Sequence, residues 1–172
     1  PKFLLRLATS VAVIQADSLL VHGCAMVSPE GKAVLFVGAS GDGKTTMTRR
    51  LPGWSALADD TVLLEPSDDS GDMMVRGTPF AGSENLPRVG AAYPLHRMVV
   101  LDPHADELSL VALSTADGFS GLMQRAFCPF ANGPIPPRIA TLVSRIMETV
   151  PASRLSSNLS HDLTPLGDAL LV

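Results

Sequence analysis

Charge is scarce in this chain. Only 17% of its 172 residues are Asp, Glu, Lys or Arg, and the formal net charge is −4. A general binder of nucleic acid or of an anionic membrane surface carries an excess of basic residues, so the composition argues against both. Cysteine is scarcer still. Cys24 and Cys128 are the whole complement, too few for a disulfide framework and without the spacing of a zinc site. They read as buried free thiols in a reducing cytoplasm. No apolar run has the length of a transmembrane helix; the stretch from Val11 to Val27 is interrupted by Gln15, Asp17, Ser18 and His22. No secretory signal is visible, although the chain begins at Pro1 rather than at a methionine, as a truncated or processed piece does. Repeats and low-complexity stretches are missing too. What is present is a hydrophobic fraction of 46%, enough for one globular domain with a substantial core spanning residues 1–172.

The most informative residues are Gly38-Ala39-Ser40-Gly41-Asp42-Gly43-Lys44-Thr45. They fit the phosphate-binding loop pattern G-x-x-x-x-G-K-[ST] without a mismatch. Glycines let the backbone turn tightly and approach an anion, so that several peptide N–H groups converge on a phosphate. In this pattern Lys44 adds a positive charge at the β- and γ-phosphates, and the Thr45 hydroxyl takes a Mg²⁺ position. Context supports the match. Ala33 to Val37 is a short apolar run suited to a buried parallel strand. Thr45 to Leu51 has helical character and is stopped by Pro52-Gly53. Strand, glycine loop and helix stand in the required order, and the cofactor-binding set is Gly38, Ser40, Gly41, Asp42, Gly43, Lys44, Thr45 and Thr46.

Asp59-Asp60 is the second feature. The pair begins the run Thr61 to Leu64 and is expected at a strand edge, where adjacent residues point to opposite sides and only one faces a given site. Phosphoryl transfer needs one carboxylate to hold Mg²⁺ and another to accept a hydroxyl proton. His22 lies within the apolar stretch Leu19 to Val27, which reads as one strand. The turn Ser28 to Gly31 joins that strand to Ala33 to Val37 as a hairpin leading into the glycine loop. A histidine in such a strand is more often a hydrogen-bonded core residue than a functional one.

Farther on, residues 3–7 and 11–14 are helix or edge strand, with the choice open. Met73 to Arg76, Arg97 to Leu101 and Glu107 to Leu113 read as strands, and Gly77 to Pro94 as a long loop. Arg76 and Arg88 at that loop suit a phosphate or acidic-substrate clamp or else lie in solvent, and Glu84 and Asn85 accompany them. Thr115 to Phe127, capped by Ser114 or Thr115, and Arg138 to Val150 read as amphipathic helices. Both are expected on the same core. Pro129 to Pro137 is a connector, Ala152 to Leu159 a final strand and Pro165 to Val172 a terminal helix. Arg125 reads as part of an ordinary polar helix face, the methionines as core filling, and Trp54 as a packing anchor under the loop helix.

Taken in order, His22-Gly23, Ser40-Gly41-Asp42-Gly43-Lys44-Thr45 and Ala58-Asp59-Asp60 resemble the HPr kinase/phosphorylase family and its smaller relatives. The resemblance covers residues 19–65 and is faint beyond, where only Val75-Arg76-Gly77 echoes the longer family signature. It implies an α/β fold: a P-loop nucleotide-binding core of the phosphoenolpyruvate-carboxykinase-like type, with a mixed central sheet and flanking helices. It implies ATP and Mg²⁺ as cofactors and transfer of phosphate to a serine hydroxyl. In that reading Lys44 and the loop amides hold the phosphates, Thr45 takes the metal, Asp59 is the general base, Asp60 supports the metal or the base, and His22 bonds to the acidic centre. Asp59 and Asp60 are interchangeable on sequence alone. The chain looks most like compact HPr-kinase-like proteins near peptide-modification genes. The implied partners are a nucleotide and a serine-bearing peptide, protein or small molecule, with homo-oligomer formation left open and the cytoplasm as location. The alternative is a nucleotide-binding regulatory module or P-loop ATPase without an acceptor. An ordinary Rossmann-like ATPase is disfavoured, because the main apolar run follows the Asp pair instead of preceding it.

Overall fold

The computed structural model describes residues 2–67, 71–80, 91–128 and 136–172. It is a mixed α/β structure. Helix α1 (Lys2–Gln15) leads into strands β1 (Leu19–His22), β2 (Cys24–Val27) and β3 (Ala33–Val37), then α2 (Lys44–Arg50). Strands β4 (Ser55–Ala58), β5 (Thr61–Pro66), β6 (Met73–Gly77), β7 (Ala92–Pro103) and β8 (Ser109–Ala112) follow. Helices α3 (Thr115–Met123) and α4 (Pro137–Thr149), strand β9 (Ala152–Ser157) and the short α5 (Leu166–Ala169) complete the order. The open choice at residues 3–14 resolves as a single helix.

The strands form one sheet in the order β1-β5-β6-β7-β3-β2-β4, with β9 also on β7 and β8 on β9. Pairings β3–β7 and β7–β9 are parallel and the others antiparallel. β3 is buried at every position, as a continuous apolar run between two neighbouring strands must be.

The expectation of one strand over Leu19 to Val27 is corrected. The chain switches partners at Gly23, so that β1 pairs with β5 while β2 pairs with β3 and β4. β1 and β2 continue one another through Gly23, and β4 and β5 continue one another through Asp59-Asp60. The sheet order therefore begins and ends on the same two-stranded ribbon, and the sheet curls back on itself there. The register runs from Leu19 opposite Leu64 to His22 opposite Thr61. It is bridged by the Gly23 N–H donating to the Asp60 carbonyl at 3.1 Å, and resumes with Ala25 opposite Ala58. Glycine is required at the switch: a Cβ on Gly23 would stand 2.8 Å from Leu35 Cδ1 and 2.9 Å from the Phe36 carbonyl oxygen. The apolar run hides this break because both halves are equally buried.

Two apolar clusters hold the elements. Helices α3 and α4 place Leu122, Ile139, Leu142, Val143 and Ile146 against Leu19, Val21, Leu35, Val62 and Met98. On the other side Met47 and Leu51 of α2 join Phe36, Val99, Leu155, Leu163 and Leu166, with Trp54 packed against them. Each such buried side chain contributes about 1.5–3 kcal/mol relative to exposure. Met26, Met47, Met98 and Met147 are buried, in keeping with core filling.

Further expectations shift. β7 starts at Ala92, so the end of the expected loop is strand; residues 81–90 of that loop, with Glu84, Asn85 and Arg88, lie outside the described residues, as do 129–135 of the Pro-rich connector. Helix α3 ends at Met123, where Ser114 caps the start by accepting from the Asp117 N–H. Residues 125–127 then run beside β1: the His22 N–H donates to the Arg125 carbonyl at 2.7 Å and the Phe127 N–H to the Leu20 carbonyl at 2.8 Å. Cys24 is buried and Cys128 half-buried, both free. No helix among the described residues is long and apolar enough to cross a membrane.

Candidate functional site

Parallel strands end on a common side, and that is where open α/β sheets bind ligands. β3, β7 and β9 are parallel neighbours. Their carboxyl ends bring together the glycine-rich segment after Val37, residues Pro103-His104, and residues 157–160. His104 has φ 73°, a left-handed conformation uncommon outside glycine.

The glycine loop is built by short-range bonds. Gly41 (φ 93°) and Gly43 (φ 85°) adopt left-handed conformations that side chains disfavour. Gly43 also accepts the Met47 N–H at 3.0 Å as α2 begins. The Asp42 carboxylate accepts the Ala39 N–H. Lys44, only 7% exposed, folds its ammonium back onto the loop, donating to the carbonyls of Gly38 at 3.0 Å and Ala39 at 2.6 Å. Burial above all lowers the Lys44 pKa; Arg125 pushes the same way, while Asp42 and Asp60 oppose it.

The loop separates two clefts. The first, about 270 Å³, is polar and brings together His22, Ser40, Gly41, Gly43, Lys44, Thr45, Thr46, Asp59 and Asp60. All four expected catalytic residues and both expected metal residues therefore share one space with most of the expected loop residues. Gly38 lies behind it and contributes its carbonyl to Lys44. Asp42 lies on the other side.

The expectation that Asp59 and Asp60 point to opposite sides is corrected. The pair occupies the bend between β4 and β5 rather than a pleated strand, so alternation does not apply, and both line the same cleft. The surroundings of the two differ. Asp59 is 8% exposed. Asp60 is ion-paired with Arg6, accepts the Thr61 hydroxyl at 3.0 Å, and has Oδ1 3.5 Å from His22 Nδ1. His22 is thus placed by β1, opposite Thr61, and not by a hairpin with β3. Its pKa is lowered, first by burial and then by Lys44 and, more weakly, Arg125, with Asp60 pulling upward. Burial, with Asp59 nearby, pushes the Cys24 thiol far up, which leaves it un-ionised and unsuited to act as a nucleophile.

The second cleft, about 460 Å³, lies across the loop. Its walls are Gly41, Asp42, Gly43, Thr46, Met47 and Arg50 on one side, and Pro103, His104 and residues 157–160 on the other. Arg50 ties the walls together by donating to the carbonyls of Asn158 at 3.3 Å and of His161. The sequence reading missed this cleft. The signal for it was the polar ends of the strand runs at Asp102-Pro103 and Ser156-Ser157, whose convergence depends on parallel pairing.

Arg6 was also missed, since nothing in the sequence links it to a carboxylate 54 positions away. Arg125, read as an ordinary helix-face residue, instead stands beside β1 next to His22. Arg76 stays away from both clefts, in an ion pair with Glu65 at 2.8 Å. Among the described residues no cluster of three or more His, Cys, Asp or Glu side chains is arranged to hold a metal.

Comparisons with known proteins give three findings. A family model described as SynChlorMet cassette protein ScmC matches residues 4–126. A putative ABC transporter ATP-binding protein of Halobacterium salinarum is 38% identical over 63 residues, which make up 37% of this chain and 22% of that protein. The chain thus spans about a fifth of that relative's length. The structure of the Hpr(Ser) kinase/phosphatase from Coxiella burnetii aligns with a TM-score of 0.49 and 11% identity, over 88% of this chain and 93% of that one.

Proposed function

We propose that this chain, which belongs to the SynChlorMet cassette protein ScmC family, is an ATP-dependent kinase that transfers the γ-phosphoryl group to a serine or threonine hydroxyl. The observation that carries the reading is the polar cleft. The P-loop lysine and two carboxylates line one space of about 270 Å³, the combination that phosphoryl transfer uses: cationic and amide positioning of the phosphates together with a base for the incoming hydroxyl. The local likeness to a protein whose name includes ATP binding supports the nucleotide part.

In this reading the loop amides between Gly38 and Thr46 cradle the phosphates. The nucleoside occupies the larger cleft between α2 and the ends of β7 and β9. The γ-phosphate reaches into the polar cleft, and Lys44 exchanges its carbonyl partners for phosphate oxygens. The acceptor hydroxyl approaches Asp59, which takes its proton as the oxygen attacks phosphorus and ADP leaves. His22, kept neutral by burial and by Lys44, orients Asp60.

Hard oxygen donors suit Mg²⁺, which keeps few protein ligands and fills its remaining positions with phosphate and water. Thr45 and Asp60 are such donors on the same cleft, so they fit the ion and would hold it. Bound there, it would neutralise phosphate charge. The acceptor is a serine-bearing peptide, protein or small molecule, and the enzyme acts in the cytoplasm.

The test is Asp59→Asn. ATP affinity stays within about twofold, and transfer to a serine-bearing peptide, with the ADP it releases, falls by about 10²–10⁴. Unchanged transfer in this variant would remove Asp59 from the chemistry. ATP binding without labelling of any hydroxyl acceptor would favour a regulatory nucleotide-binding module.

A further inference from the structure

Asp60 is held by a residue 54 positions earlier in the chain. Arg6 lies on α1, and its Nη2 donates to Asp60 Oδ2 in an ion pair. The guanidinium carbon stands 5.6 Å from the Phe80 ring centroid and 5.8 Å from that of Phe127. Both rings are within the range of cation–π attraction. Arg6 Nε is buried and donates to no group among the described residues, so the polar engagement of this guanidinium is directed at the one carboxylate. Two aromatic rings flank the guanidinium, and a planar cation held against them constrains the position of the anion it bonds.

We infer that Arg6 is a positioning residue of the centre, clamping the Asp60 carboxylate in a fixed place on the polar cleft. Asp60 Oδ2 already accepts from Arg6 and from the Thr61 hydroxyl. Oδ1 faces His22 at 3.5 Å, longer than a good hydrogen bond, and is the one Asp60 oxygen left to turn toward a cation. A carboxylate so engaged is an anchor rather than a proton acceptor. Helix α1 thereby becomes part of the centre although none of its described side chains lines the cleft. The inference rests on the kinase reading for its catalytic consequence and on geometry alone for the clamp.

The experiment compares Arg6→Met, Arg6→Lys and Arg6→Ala with the parent chain. In Arg6→Met, kcat for ATP turnover falls at least about tenfold with KM for ATP within about twofold, because the nucleotide seat is untouched. Arg6→Lys, which keeps the charge but not the fork or the stacking, recovers part of the loss. Guanidinium added to Arg6→Ala, where truncation opens the space between Phe80 and Phe127, restores turnover toward the parent value. A general loss of fold would show as a lowered Tm and would not respond to guanidinium. A crystal structure of Arg6→Met supplies a readout independent of turnover: the Asp60 carboxylate leaves its place beside Thr61 while the β1–β5 register stays. If the parent chain turns over no ATP, the kinase reading fails and that structure still decides the clamp. Parent-like kcat in Arg6→Met, or an Asp60 carboxylate that has not moved, would overturn the inference.

Discussion

The two clefts flanking the glycine loop share Gly41, Gly43 and Thr46 yet are built on different principles. The smaller one concentrates ionisable groups, Lys44, His22, Asp59 and Asp60, on a sharp switch in one ribbon. The larger one is walled by strand ends and by Met47, Pro103 and Leu159, with Arg50 spent on backbone carbonyls. One side is organised for charge and the other for shape. In the proposed reading this is a division between reacting and holding. The polar cleft depends on the Gly23 switch, whereas the larger cleft is set by the parallel strand ends together with the glycine loop and α2, tied across by Arg50.

The comparison breaks most completely at Lys44, which serves the loop common to both sides. Lys44→Met is expected to weaken ATP binding by about 10–100-fold and to lower transfer by about 10²–10³, removing a charged donor from phosphate. Calorimetric titration and ADP release measure the two effects. Retained affinity would separate the loop from the nucleotide.

Next in size is Gly23→Ala. The added methyl meets the Phe36 carbonyl and Leu35, and overpacking of this kind costs about 1–3 kcal/mol. Denaturant melts should report that loss. Turnover should fall further than ATP affinity, because the switch positions His22 and Asp60 and not the larger cleft.

What the sequence made legible follows the range of the interactions. The β2–β3 hairpin, the glycine loop and α2 are local, each written in an apolar run, a turn and a few glycines, and they stand where expected. The paired use of Asp59 and Asp60 was hidden. A period-two argument holds only inside a pleated strand, and the pair sits in a bend fixed by the Gly23 N–H. The break at Gly23 left no trace in hydropathy, since Leu19 through Met26 is almost uniformly buried. Arg6 and the wall at residues 157–160 are brought in by tertiary pairing over long separations, where no local spacing rule operates.

A smaller effect is expected from Arg50→Met, confined to the shape side. Loss of its bonds to Asn158 and His161 loosens the wall and should raise the Kd for ATP about threefold to tenfold, with kcat at saturation nearly unchanged. A matching loss of kcat would mean that the clefts are not separable.

The smallest effect is a pH dependence from His22. Its folded pKa lies below the ordinary 6.5, so the unfolded chain takes up the proton first. The stability contribution is complete above about pH 6.5 and declines as pH falls from there toward the lowered folded value. Thermal melts between pH 7 and 5 should fall less steeply for His22→Gln than for the parent chain. Identical slopes would remove His22 from the balance.

The central claim is that the glycine loop and the Asp59–Asp60 bend form one phosphoryl-transfer centre. A crystal structure with a non-hydrolysable ATP analogue and Mg²⁺ tests it most directly. The account predicts the nucleoside beside Arg50 and Pro103, Lys44 turned from the Gly38 and Ala39 carbonyls to the phosphates, and the γ-phosphate in the polar cleft with room for one hydroxyl between it and Asp59. A γ-phosphate directed away from Asp59, or a nucleotide that leaves the polar cleft empty, would contradict it.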